Sequence, residues 1–141
     1  MVTPSTLEQM VCFQLYAASR AMTAVYRPIL EPHGLTYPQL IVLVALWDNG
    51  PTTVRDLGKQ LNLDSGTLSP LLKRLEAAGH VSRTRGSTDE RTVVIDTTET
   101  GMRLRDELSD LPARIACAVN LTETEFHQLT HLLARFRDAI N

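Results

Sequence analysis

The chain has only two cysteines, Cys12 and Cys117, among its 141 residues. That number is too small for a disulfide scaffold, so both thiols are expected to stay reduced unless one of them is reactive. No apolar run approaches the roughly 18 residues that cross a membrane. The N-terminus MVTPSTLEQM also lacks the basic start and apolar middle of a signal peptide. We therefore expect a cytoplasmic protein with no membrane partner.

An excess of basic charge is also missing, since the net charge is -2. The basic residues are nevertheless concentrated in the middle of the chain. Residues 51–95 contain seven basic and five acidic side chains, whereas the remainder contains seven basic and eleven acidic ones. The distribution matters more than the sum for binding to nucleic acid, and it leaves such binding open for the middle segment.

The order of predicted elements in the first two thirds is that of a winged helix-turn-helix. An apolar helix is predicted from about Leu7 to Leu30, followed by LTYPQLIVLVALWDNG, a core helix capped by Thr36. Two short helices, TTVRDLGKQLN and DSGTLSPLLKRLEAAGH, are joined by so short a linker that they must cross sharply. VSRTRG and TVVIDTT then alternate polar and apolar residues and predict a β-hairpin. The predicted fold class is mainly α with a small β-hairpin wing.

The last third is again helical, and its apolar faces predict a homodimer. Pro112 should kink or restart the helix that begins near residue 99. The segment LTETEFHQLTHLLARFRDAIN opens with a capping box, Thr122 to Glu125. Its apolar stripe consists of Phe126, Leu129, Leu133, Phe136 and Ile140. Together with the first helix, this is more apolar surface than one small fold can cover.

The second short helix has the composition of a DNA-recognition helix. Four leucines on one side, at positions 68, 71, 72 and 75, would hold it to the core. The side chains predicted to face the major groove are Ser65, Thr67, Ser69, Lys73 and Arg74. On the hairpin, Arg91 could enter the minor groove, and Arg83 and Arg85 could contact phosphates.

At these residues the sequence resembles a known family. The stretch LDSGTLSPLLKRLEAAGHVSRTRGSTDERTVVIDTTETG is similar to the recognition helix and wing of the MarR family of transcriptional regulators. The resemblance extends over essentially the whole chain. It implies that Arg91 is the minor-groove arginine of the wing and that Asp89 helps to hold the wing. It also implies a dimer that binds a pseudo-palindromic operator in double-stranded DNA, usually as a repressor.

The resemblance also sets the expected domain organisation. Residues 1–141 would form a single MarR-type domain. Within it, residues 36–97 would be the DNA-binding winged helix-turn-helix. Residues 1–35 and 98–141 would be the dimerisation helices.

Cys12 lies in the first apolar helix, and the three tyrosines Tyr16, Tyr26 and Tyr37 follow it by 4, 14 and 25 residues. A phenol that donates its O–H to a thiolate favours the charged, nucleophilic form of the sulfur. The spacings resemble those of the organic hydroperoxide regulator, or OhrR, branch of the MarR family. That resemblance implies that Cys12 is oxidised to a sulfenic acid and that Tyr26 and Tyr37 of the other subunit hold its thiolate. Tyr16, one helical turn away, is a further candidate for this contact.

The apolar neighbours of Cys12 bear on the oxidant. Phe13, Leu15 and Met22 would bind the alkyl part of an organic hydroperoxide, and they offer nothing to hydrogen peroxide. An organic hydroperoxide is therefore the expected signal.

Cys117 is the candidate resolving cysteine, because a sulfenic acid condenses with a second thiol to form a disulfide. The resemblance to the two-cysteine subgroup of the OhrR branch implies that Cys12 and Cys117 join across the dimer interface. A bridge requires Cα atoms within about 7 Å. If the thiols start farther apart, bridging would drag helices and change the separation of the two recognition helices.

Three other interpretations remain open at this stage. The chain could be a MarR-type regulator that binds a small phenolic or drug-like molecule in the dimer cleft, with Cys12 incidental. It could be a thiol peroxidase, although the predicted DNA reader and the lack of a cofactor or reductase motif favour a non-enzyme. His127 and His131 have a spacing that can pair imidazoles on a metal, but no third ligand lies beside them. We therefore expect neither a cofactor nor a metal.

Overall fold

The first helix of the structure, a computed structural model that describes residues 6–86 and 91–141, is α1 (Val11–Leu30). It starts later than the apolar pattern predicts. Leu7–Gln9 form a separate 3-10 turn, and Met10 is extended, with φ -80° and ψ 115°. The predicted helix from Leu7 therefore breaks at Met10, because this extended residue cannot continue helical hydrogen bonding.

By its internal contacts the chain divides into two units, and the boundary in the sequence falls between Ser109 and Asp110. After α1 the first unit contains α2 (Tyr37–Asn49), β1 (Thr52–Thr53), α3 (Val54–Leu61), α4 (Ser65–Ala77), β2 (Val81–Arg85), β3 (Val93–Thr97) and α5 (Glu99–Glu107). The second unit contains α6 (Leu111–Val119) and α7 (Glu123–Ile140). The helix restarts at Leu111 with Pro112 in its first turn, as predicted.

Helix α2 is the centre of the first unit. It contacts α1, α3, α4, α5 and β3, which explains why its sequence is apolar around most of the circumference. Val42 and Leu43 are completely buried. Thr36 is the N-cap, as predicted, and it forms a capping box that was not predicted: Gln39 Oε1 accepts from the Thr36 N–H at 2.9 Å, and the Thr36 side chain accepts from the third N–H of the helix. This cap satisfies backbone groups that would otherwise lack partners at the helix start.

The wing is the predicted hairpin with one added strand. β2 and β3 pair antiparallel, with Arg83 opposite Ile95 and Arg85 opposite Val93. β1 pairs with the other edge of β3, with Thr52 opposite Ile95, which gives the strand order β1-β3-β2. A strand of two residues has no sequence signal of its own, since period-2 alternation needs about four residues. The predicted fold class, mainly α with a β-hairpin wing in a winged helix-turn-helix, is confirmed.

A search of the described residues for membrane-spanning helices finds no single helix of sufficient length and apolarity. One bent pair, Val11–His33 with Tyr37–Asn49 at 76°, passes by length and composition only.

Candidate redox centre and nucleic-acid interface

Helix α4 presents two different faces, as the sequence predicts. Leu68, Leu72 and Leu75 are each 1% exposed, so they fix the helix in the core. Ser65, Thr67, Lys73 and Arg74 are exposed, and Ser69 is half-buried. The polar face is therefore available to a ligand while the leucines hold the helix in place.

The start of α4 is fixed by Asp64. The Thr67 N–H donates to Asp64 Oδ1 at 2.7 Å. Hydrogen bonds from the backbone and side chain of Thr67 hold the pKa of the Asp64 carboxyl below its usual range. This cap defines the first turn of α4, where a recognition helix carries its base-reading side chains.

The short link between α3 and α4 depends on a close backbone approach at Gly58. Leu63 N donates to the Gly58 carbonyl at 2.9 Å, and a Cβ on Gly58 would stand 2.9 Å from the Leu63 carbonyl oxygen. Asn62 adopts the left-handed conformation at φ 55° and ends α3. These local features produce the sharp crossing of the two helices that the brief linker predicts.

An open groove runs between α3, the start of α4 and the base of the wing, and it gathers part of the predicted site. Four of the residues predicted to contact DNA line this groove: Ser65, Ser69, Arg83 and Arg91. Thr67, Lys73, Arg74 and Arg85 do not line it, although all four are exposed. Asp89, predicted to hold the wing, lies outside the described residues. The groove therefore brings the recognition helix and the wing to one surface.

Two basic residues that sequence reasoning did not assign to the site also line this groove. Arg55 and Lys59 lie four residues apart on the exposed face of α3. The sequence pattern could have identified them, because both lie on the polar side of a strongly amphipathic helix that directly precedes the recognition helix. Four basic side chains, Arg55, Lys59, Arg83 and Arg91, thus surround the groove.

Arg83 is held by an acidic partner. Its Nη2 lies 3.0 Å from Glu76 Oε1 and its Nε lies 3.2 Å from Oε2, so the guanidinium and the carboxylate pair through two bonds. This contact holds the pKa of Glu76 below its usual range. The ion pair joins the last turns of α4 to β2, which sets the direction in which the wing leaves the recognition helix.

Tyr26 and Tyr37 form a pair at the junction of α1 and α2. Their ring centroids are 4.8 Å apart, and the rings are tilted by 54°. Burial, together with the neighbouring Tyr37, raises the pKa of the Tyr26 phenol. Tyr26 therefore stays protonated at neutral pH and keeps an O–H to donate.

The tyrosine pair cannot serve the cysteine of its own chain. Cys12 and Tyr26 lie on the same continuous helix, 14 residues apart. With a rise of about 1.5 Å per residue, their Cα atoms are separated by roughly 21 Å along the axis. Cys12 and Cys117 are both free and exposed, one in each unit. Tyr16 is 60% exposed and lies one turn after Cys12.

One of the two histidines on α7 lies near an acidic side chain of the same helix. His127 Nε2 lies 3.8 Å from Glu123 Oε1, one helical turn earlier, at an exposed position. Among the described residues no group of three or more His, Cys, Asp or Glu side chains could hold a metal ion.

Comparisons with known proteins identify the family. A family profile described as transcriptional regulator SarA/Rot matches residues 24–108. The HTH-type transcriptional regulator TtmR of Methylorubrum extorquens is 44% identical over 138 residues, which span 98% of this chain and 71% of that protein. The organic hydroperoxide resistance transcriptional regulator of Bacillus subtilis is 48% identical over 109 residues, which span 77% of this chain and 74% of that protein.

Solved structures agree with these matches. Reduced AbfR bound to DNA has a TM-score of 0.80 and 32% identity, over 95% of this chain and 94% of that chain. Disulfide-formed AbfR has a TM-score of 0.66 and 31% identity, over 95% of this chain and 89% of that chain. AbfR is a Staphylococcus epidermidis protein. The chain therefore belongs to the SarA/MarR family of winged-helix transcriptional regulators, and its identity to the Bacillus protein supports placement in the OhrR branch.

Proposed function

We propose that this chain is a dimeric repressor that binds a pseudo-palindromic operator in double-stranded DNA and releases it when an organic hydroperoxide oxidises Cys12. The observation that carries the proposal is the pair of Tyr26 and Tyr37, whose rings meet at 4.8 Å but lie far from Cys12 of the same chain. In a dimer, two phenols held together in this way would form a ready donor pair for the thiolate of the partner subunit.

The proposed chemistry is a two-electron oxidation of sulfur. The Cys12 thiolate attacks the terminal oxygen of the hydroperoxide, and the O–O bond breaks. The departing alkoxide takes a proton and becomes an alcohol, while Cys12 becomes a sulfenic acid. The Cys117 thiol of the partner subunit then displaces the hydroxyl group, which gives a disulfide and one water. AbfR, a protein solved in reduced and disulfide forms, supports this sequence by similarity.

Oxidation would act on DNA through the two recognition helices. In the proposed dimer, Ser65, Thr67 and Ser69 read bases in the major groove. Lys73 and Arg74 face the same groove, and Arg83 and Arg85 contact phosphates. Arg91 enters the minor groove, and Asp89 helps to hold the wing. Residues 1–35 and 98–141 would supply the dimerisation helices. A disulfide that moves these helices would change the distance between the two α4 helices of the dimer, which must match the two half-sites of the operator.

Replacing Cys12 with serine should abolish the response without weakening operator binding. Treatment of the parent with one equivalent of cumene hydroperoxide should lower its operator affinity by about tenfold or more, within the usual range of coupling between two sites. Cys12→Ser should bind DNA equally before and after treatment. The measurement is fluorescence anisotropy with a labelled operator. If Cys12→Ser is released as readily as the parent, the sensing proposal is wrong.

The Cys117→Ser variant separates oxidation from resolution. On a denaturing, non-reducing gel, the peroxide-treated parent should run as a covalent dimer. Cys12→Ser and Cys117→Ser should both run as single chains after the same treatment. A covalent dimer that persists in Cys117→Ser would contradict the proposed pairing.

Removing the carboxylate that holds Arg83 should strengthen DNA binding. In Glu76→Gln the Arg83 guanidinium loses a charged partner, and a negative charge leaves the proposed DNA surface. We expect affinity to rise a few-fold and the slope of log K against log salt to steepen by up to about one. The measurement is a salt titration of operator affinity. Glu31→Gln, an exposed carboxylate outside the groove, is the control. Equal slopes for the parent and Glu76→Gln would exclude Arg83 as a phosphate contact.

A further inference from the structure

Three titratable side chains, none of which lines the groove, cluster where three segments of the first unit meet. His33 ends the 3-10 turn Glu31–His33 that follows α1, His80 lies in the turn between α4 and β2, and Glu107 is the last residue of α5. His33 Nδ1 lies 3.2 Å from Glu107 Oε2, and both groups act electrostatically on the His80 ring. The cluster therefore connects the segments predicted to form the dimer with the turn from which the wing starts.

The backbone of His80 is fixed from both sides of this turn. Its N–H donates to the Leu75 carbonyl at 2.9 Å, and its own carbonyl accepts from the Thr98 N–H at 3.1 Å. The start of α5 packs against the same carbonyl at Gly101, which has no space for a Cβ. Leu75 belongs to the recognition helix, and β2 begins at Val81. A displacement of His80 would therefore move both the end of α4 and the start of the wing.

The surroundings of the His80 imidazole favour its neutral form. Its Nδ1 is buried and has no hydrogen-bond partner within the described residues. A protonated imidazole carries N–H on both ring nitrogens, so a proton taken up in place would leave a cationic donor buried without an acceptor. Burial lowers the pKa of His80, Glu107 opposes this shift, and His33 adds to it.

One carboxylate serves two imidazoles in this cluster. Glu107 favours a proton on either histidine, but a charge on His33 repels a charge on His80. The charged residues that flank His80 on α4 and β2, Glu76 and Arg83, are paired with each other. No other described charged group contributes to the shift at His80. A proton on His80 is therefore accommodated best when the ring leaves its buried position and reaches water.

We propose that His80, together with His33 and Glu107, makes DNA binding sensitive to mild acid, because a proton on His80 displaces the turn between α4 and β2. DNA holds α4 and the wing in place, so the turn moves more readily in the free protein, and the proton binds the free protein better. By linkage, acid then lowers the affinity for DNA. The inference rests on DNA binding, which the chain shares with its family, and it does not involve Cys12.

The test is fluorescence anisotropy of reduced protein with a labelled operator, from about pH 7.5 to about pH 5.5 at constant ionic strength. Carboxylates and lysines keep their charge over this range, so histidines dominate the titration. Added positive charge alone would strengthen binding as the pH falls. We expect the parent instead to lose affinity about threefold or more, and His80→Gln to keep or gain affinity. His131→Gln, at an exposed histidine on α7, should respond to acid as the parent does.

The two partners of His80 should shift the response in opposite directions, which a merely structural role would not produce. Glu107→Gln removes the carboxylate that favours the proton, so the pH at which affinity falls should drop by about half a unit. His33→Gln removes a competing cation, so that pH should rise by a similar amount. A parent that keeps its affinity in acid, a His80→Gln protein that loses it as the parent does, or equal shifts in the two partner variants would overturn the inference.

An NMR titration of the parent decides the question even if His80→Gln does not fold. The imidazole signal of His80 is assigned by elimination, from His33→Gln, His127→Gln and His131→Gln. Its midpoint should lie below those of the other histidines in the free protein and about one pH unit lower again in the operator complex, since a unit corresponds to a tenfold linkage. Equal midpoints in free and DNA-bound protein would show that protonation of His80 is not coupled to DNA binding.

Discussion

Gly101→Ala should lower the free energy of unfolding by about 3 kcal/mol, at the upper end of the usual cost of overpacking. A Cβ at this position would stand 2.2 Å from the His80 carbonyl oxygen and 3.2 Å from its carbon. The obstacle is backbone, so either the turn between α4 and β2 or the start of α5 must move. Thermal unfolding followed by circular dichroism should show a melting temperature lower by roughly 10 °C.

The turn that would have to move is held at several points. Thr98 N donates to the same His80 carbonyl at 3.1 Å, and the Thr98 hydroxyl donates to the Gly79 carbonyl. Trp47 Nε1 donates to the Gly101 carbonyl at 3.2 Å, which ties α5 to α2. A shift large enough to admit a methyl group would lengthen or break these bonds, so relaxation cannot remove most of the cost.

Gly66→Ala is the matched control, since Gly66 also lies in the first turn of a helix. A Cβ there would meet only Asp64 Oδ1, at 3.4 Å, and alanine improves helix propensity by up to about 1 kcal/mol. Its melting temperature should equal or exceed that of the parent at the same protein concentration, which must be fixed for a dimer. A Gly101→Ala protein that melts within about 2 °C of the parent would show that this turn is not rigid.

Local features of the fold could be predicted from the sequence because their causes are local. Thr53, Asp64 and Thr122 each cap a helix by accepting from the N–H three residues later. Pro112 restarts a helix, as its fixed φ and missing N–H require. The buried leucines of α4 follow directly from the helical period.

Features that depend on contacts between distant residues could not be predicted. The constraint on Gly101 comes from the His80 carbonyl, which no local pattern connects to it. The pairing of Arg83 with Glu76 depends on how β2 leaves α4, so the sequence predicted a phosphate contact for Arg83 without its acidic partner. The family resemblance implied that Tyr26 and Tyr37 both hold the thiolate. Their ring contact at 4.8 Å could not be predicted, because it depends on the turn between α1 and α2.

Leu133→Asp should convert the protein to a monomer and lower operator affinity by about 100-fold or more, because binding to a second half-site is lost. Leu133 belongs to an apolar stripe on α7 that is exposed in the single chain. The members of the stripe are 38% to 68% exposed: Phe126, Leu129, Leu133, Phe136 and Ile140. A carboxylate inside an apolar interface is strongly unfavourable, whereas at an exposed position of one chain it is harmless.

Sedimentation velocity at micromolar concentration measures the change in mass, and anisotropy measures the loss of DNA binding. His131→Asp introduces the same charge about 200° around the helix from Leu133, so it should remain a dimer with parental affinity. A Leu133→Asp protein that sediments as a dimer would exclude this stripe as the subunit interface.

The same variant should also lose its sensing chemistry. A monomer keeps Cys12 with its own Tyr16 but lacks the Tyr26 and Tyr37 of a partner. Its own Tyr26 lies roughly 21 Å from Cys12 along α1, and its own Tyr37 packs against that Tyr26. In the Cys117→Ser background only Cys12 can be alkylated, and its iodoacetamide labelling should therefore have a higher midpoint pH in Leu133→Asp than in the His131→Asp dimer. An identical midpoint in the two proteins would mean that the tyrosine pair does not act across the interface.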